Sequence, residues 1–84
     1  MATIIRVSGD EADEKYPELE RLNEVVGGTI DGVRLPDGRR MFVNDEGLIL
    51  GLPLNRKASA LARQPIVGDV VVLTLEETQK DEEP

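Results

Sequence analysis

Hydrophobic positions fall in clusters along the chain, and their spacing predicts an element for each. Residues 3–7 form a β-branched run of strand character, short and apolar enough for the interior of a sheet. Ser8-Gly9 ends that run, and the polar, acidic residues 10–15 read as a connection. Tyr16, Leu19, Leu22 and Val26 recur at three- and four-residue steps, which predicts an amphipathic helix over 16–26 with these four side chains turned to the sheet. Pro17 suits a first helical turn and Glu18 and Glu20 complement its dipole. Gly27-Gly28 accepts the left-handed backbone that closes a helix. Residues 29–35 and 39–44 flank Pro36-Asp37-Gly38, a tight-turn sequence, and read as a hairpin. Asn44-Asp45-Glu46-Gly47 is a second turn. The apolar residues 48–50 read as a short third strand, completing an antiparallel meander. Leu52 and Leu54 are expected as buried anchors of the loop 51–55. Asn55 is suited to cap a short helix over 56–63, rich in Ala and Leu, which Gln64-Pro65 stops. Residues 70–75 are β-branched and read as an interior strand. Residues 76–84 are acidic, with almost no apolar content, and are expected to be a disordered tail.

The order of elements predicts an α+β fold. A small, mostly antiparallel sheet of four to five strands carries one main helix (16–26) on a face and a short helix (56–63). At 84 residues the chain is one domain, expected over 1–75. A domain of this size has a small core and little room for a deep, dry cavity.

Composition narrows the chemistry. The chain has no Cys and no His. Disulfides and thiolate metal sites are therefore excluded, and so are His-based acid–base pairs, nucleophile pairs and metal ligation. No cofactor, no metal and no catalytic activity are expected. The net charge is −7, from 17 acidic and 10 basic residues, which disfavours nucleic acid as a partner because each phosphate contact works against the field of the protein. The charge is uneven. Residues 34–63 hold six bases (Arg34, Arg39, Arg40, Arg56, Lys57, Arg63) and three acids (Asp37, Asp45, Glu46), between acidic ends. No stretch reaches the ~20 apolar residues of a membrane span, and the first residues lack the pattern of a signal peptide. A cytoplasmic location and no membrane partner are expected.

Known motifs fail on spacing. Gly27-Gly28 follows a predicted helix rather than a strand, unlike a phosphate-binding loop. Residues 10–14 lack the Gly and the terminal Glu of a calcium loop. One Phe and one Tyr give no platform for stacking bases. The candidate binding residues are therefore Asn44, Asn55, Arg56 and Lys57, with Arg39 and Arg40 contributing. Asn55, Arg56 and Lys57 meet at a loop-to-helix junction, where backbone N–H groups and charge-assisted donors favour an anion. Arg56, with its planar fork, is the leading residue. The competing reading is that Asn55 only caps the helix and the bases only solvate it.

Val26-Gly27-Gly28 with Ile30, Val43-Asn44-Asp45-Glu46-Gly47, Gly51-Leu52-Pro53-Leu54-Asn55-Arg56 and Val67-Gly68-Asp69 occur in this order between Leu22 and Leu73. On these residues the chain resembles a domain-of-unknown-function family of small proteins of bacteriophages, plasmids and conjugative elements. The resemblance implies a mobile-element protein acting in a bacterial host and supplies no mechanism. The functional expectation is a non-catalytic accessory protein that binds and modulates a host protein. The alternative is a binder or sponge of a small anionic ligand, such as a nucleotide signal. Exposed sheet edges also admit a homodimer.

Overall fold

The computed structural model describes residues 1–15 and 17–74. Five strands, β1 (Ala2–Ile5), β2 (Glu11–Glu14), β3 (Ile30–Arg34), β4 (Arg40–Asn44) and β5 (Val70–Leu73), alternate with two helices, α1 (Leu19–Val26) and α2 (Arg56–Ala62). The strands form one sheet in the order β2-β1-β5-β4-β3, with every neighbouring pair antiparallel. The fold is the expected small α+β domain.

The chemistry of β5 explains its central place. All four of its residues, Val-Val-Val-Leu, are buried, which only a strand covered on both faces can achieve. Alternation sends Val71 and Leu73 to one face, where they pack with Ala2, Ile4, Leu22 and Val25 beneath α1. Val70 and Val72 point the other way and join Ile5, Leu35, Met41, Ala58, Ala62 and Ile66 beneath α2. The sheet therefore lies between the two helices, and the short second helix carries the opposite face.

Several elements differ from the sequence expectation. Residues 10–15 are not a bare connection: Glu11–Glu14 is strand β2, paired in full with β1 from Ile5↔Glu11 to Ala2↔Glu14. Acidic residues have low strand propensity, but Gly9, at φ +97°, lets the chain reverse behind β1. Side chains then hold the strand in place, with Thr3 Oγ1 donating to Asp13 at 2.9 Å and Lys57 Nζ donating to Glu11 at 2.9 Å. Residues 48–50 are not a strand. Local hydrogen bonds close the segment into turns instead, from Leu50 N to Glu46 O, Gly51 N to Leu48 O and Leu52 N to Gly47 O.

Helix α1 starts at Leu19 rather than at residue 16, with Glu18 extended at the N-cap. Pro17 therefore precedes the helix instead of opening it. Leu22 and Val26 are buried as expected, but Leu19 is 61% exposed. Leu52 is half-buried, and Leu54 is exposed, not an anchor. The expectations for Tyr16 and for the tail over 76–84 lie outside the described residues.

Candidate functional site

Asn55 ends the loop 51–55 and is 1% exposed. Its Oδ1 accepts from Ala58 N at 3.1 Å, capping α2. Its Nδ2 donates to Ile5 O at 3.0 Å and to Gly68 O at 2.9 Å. Its own N–H donates to Ile66 O, and its carbonyl accepts from Ser59 N and Ser59 Oγ. Every polar atom of Asn55 is thus committed to joining α2, β1 and the segment before β5. Asn44 behaves likewise at the end of β4. It is 7% exposed, its Nδ2 donates to Val26 O at the end of α1, and its Oδ1 accepts from Glu46 N. Both asparagines hold the fold together: Asn55 has both amide N–H groups committed, and Asn44 is buried and bonded to Val26 and Glu46.

The basic residues do not converge. Arg40 lies opposite Leu73, which lies opposite Ala2, whereas Ile5 and Val70 mark the other end of the sheet, the end that Asn55 reaches. Arg40 and Asn44 sit at opposite ends of β4, about 13 Å apart along the strand. Arg39 is folded back onto Asp37, with its Nε 2.8 Å from Oδ2 and its N–H donating to Oδ1. That backbone N–H, and then the guanidinium, hold the Asp37 carboxyl below its ordinary range. Lys57 Nζ donates to Gly9 O at 2.6 Å and pairs with Glu11. Arg56 is exposed at the first turn of α2, and among the described residues its guanidinium has no hydrogen bond or ion pair. Of the expected anion site, Arg56 alone keeps an exposed guanidinium without a described partner at the start of α2. With only seven residues, α2 adds little of its own to such a site.

A different feature lies at the Asn44 end. Leu48 and Ile49 are 83% and 84% exposed, and Leu50 is 56% exposed. Three consecutive large aliphatic side chains face solvent on a turn whose backbone is hydrogen-bonded from Asn44 to Leu52. Two close approaches fix this turn to the body of the protein. A Cβ on Gly47 would come within 2.7 Å of Val67 Cγ2, and one on Gly68, at φ +79°, within 2.8 Å of Leu52 Cδ1. Beside the turn is a cavity of about 330 Å³ lined by Val43, Gly47, Leu48, Ile49, Pro65 and Val67, among others. Asp45 and Glu46 stand exposed at its rim. The expected strand over 48–50 misses this surface; the signal that could have found it is a run of three aliphatics bounded closely by Gly47 and Gly51.

Chemically, the surface offers apolar contact edged by carboxylates. Among the described residues no group of acidic side chains is placed to hold a metal ion, and no helix is long and apolar enough to cross a membrane. No curated protein and no solved structure matches the chain. Over residues 2–83, however, the sequence matches the model of the family described as Domain of unknown function (DUF3846), and the chain belongs to that family.

Proposed function

We propose that this protein is a non-catalytic accessory protein of a phage or mobile element, and that it acts by binding a host protein through the Leu48–Leu50 turn. One observation carries the reading: three adjacent aliphatic side chains, 83%, 84% and 56% exposed, on a turn fixed by its own hydrogen bonds. Each would gain about 1.5–3 kcal/mol if fully buried by a partner. A turn already ordered loses little conformational entropy on binding. The lack of His and Cys and the family resemblance point the same way. The anionic-ligand reading has weaker support, because Asn55 and Asn44 are buried and bonded within the fold, Arg39 and Arg40 lie at the far end of the sheet from Arg56, and the ammonium of Lys57 is held by Gly9 and Glu11.

The test is photo-crosslinking in the bacterial host. A benzophenone side chain at position 50 is expected to give one discrete protein adduct, absent when the same group replaces Glu20 on α1. Adding Ile49→Asp should abolish that adduct while the melting temperature stays within a few degrees. No adduct at position 50 would refute the reading. A thermal-shift panel of nucleotides checks the other one. A true ligand at ~100 times its dissociation constant adds about 2.7 kcal/mol, a shift of many degrees in a domain this small, and none is expected.

A further inference from the structure

The turn and the cavity constrain the chemistry of what can cover them. The cavity is at the small end of the range for ligand pockets. Its lining is mostly aliphatic, with few polar groups to orient a small molecule, so it suits an aliphatic side chain presented by a larger partner. It lies beside the end of β4, an interior strand hydrogen-bonded to β3 and β5. The free sheet edges, β2 and β3, are elsewhere, so an extended peptide at the cavity finds no open strand to extend. The surface on offer there is mainly aliphatic side chains, which an amphipathic helix matches with its own at three- and four-residue steps.

The charges select its sign. Asp45 and Glu46 are exposed at the rim, and among the described residues their carboxylates form no ion pair or hydrogen bond. A second copy would bring two such acidic pairs together, and an anionic bilayer would oppose them as well.

Building on the reading of the turn as a protein contact, we propose that the Leu48–Leu50 turn and its cavity receive a basic amphipathic helix of the partner. An aliphatic residue of that helix fills the cavity, Leu48 and Leu50 pack along its apolar stripe, and its Lys or Arg residues face Asp45 and Glu46.

The probe is a synthetic amphipathic helix of Leu and Lys, with a Leu and Glu version of the same pattern as control. Titrated into the methyl-labelled full chain, the Lys peptide should shift the resonances of Val43, Ile49 and Val67, and the Glu peptide should not. Asp45→Lys with Glu46→Lys should weaken binding by about tenfold or more. Glu18→Lys with Glu20→Lys makes the same change in net charge at the far end of α1, about 12 Å along the helix from the Asn44 contact, and should weaken binding far less. Ile49→Asp should remove it. Equal losses in the two double variants would make the effect bulk charge and overturn the proposal. So would shifts confined to other residues, or burial of the turn in phosphatidylcholine vesicles or in a homodimer seen by sedimentation. The two failures are distinguishable. A cellular adduct at position 50 to a partner without a basic helix sinks this proposal and leaves the protein-binding reading standing. Peptide binding at the cavity without any cellular adduct sinks the protein-binding reading, and with it this proposal.

Discussion

Asn55 and Arg56 are adjacent in the chain and opposite in role. Read from the sequence, both sit at a helix start and both are plausible anion contacts. The cap was legible, because Asn favours that position. The two further bonds were not, because Ile5 and Gly68 are 50 and 13 residues away. Replacing Asn55 with Ala removes the cap and leaves buried carbonyls of Ile5 and Gly68 without a donor. Each orphaned group costs about 1–3 kcal/mol, so Asn55→Ala is expected to destabilise by about 3 kcal/mol or more. At the 4–8 °C per kcal/mol typical of domains this size, that is a fall in Tm of over ~12 °C. Arg56→Ala, on an exposed side chain with no described partner, should stay within about 0.5 kcal/mol. Denaturant titration of both variants checks the contrast. A large loss for Arg56→Ala would show that it, too, belongs to the frame.

At the scale of elements, what the sequence revealed follows from burial. The interior strands β1 and β5 and the 30–44 hairpin were legible, and α1 in part: Leu22 and Val26 are buried as its period predicts, whereas Val25 joins them and Leu19 does not. β2 buries almost nothing, with Glu11, Ala12 and Asp13 exposed and Glu14 half-buried, so no period marks it. Partners elsewhere in the chain make it a strand. One of them is Arg21 of α1, which grips Glu14 through Nε at 2.9 Å and Nη2 at 2.6 Å. That side-chain hydrogen bond, with the charge of the same guanidinium, holds the Glu14 carboxyl below its ordinary value against the opposing effect of partial burial. A carboxyl depressed in the folded state contributes stability at pH above its unfolded value and loses it as pH falls through its folded value. The protein should therefore weaken as pH drops below about 5. In Glu14→Gln the tie is lost at neutral pH, and the fall in Tm from pH 7 to pH 3 should be smaller than in the native chain. An unchanged pH profile would mean that the pair does not help to hold β2 on the sheet.

The frame of the whole molecule concentrates at one end. The short motifs at Gly27-Gly28, Asn44 to Gly47, Leu52 to Asn55 and Val67 to Asp69 meet there through Asn44–Val26, Asn55–Gly68, Gly68 N–Pro53 O and Val7 N–Asp69 contacts. They fix a platform, and the aliphatic turn projects from it. The net charge of −7 acts over a longer range than that turn. Long-range charge governs how fast a basic partner arrives, whereas buried apolar contact governs how long it stays. The Debye length shrinks from about 30 Å at 0.01 M salt to about 3 Å at 1 M. Stopped-flow binding of the Leu and Lys helix should therefore show an association rate that falls by about tenfold or more across that range, with a dissociation rate that changes little. Ile49→Ser should do the opposite, leaving association near the native rate and speeding dissociation, because it removes apolar contact without altering charge. If salt and Ile49→Ser both act mainly on association, the cavity is not what retains the partner, and the turn is only a landing surface for a contact made elsewhere.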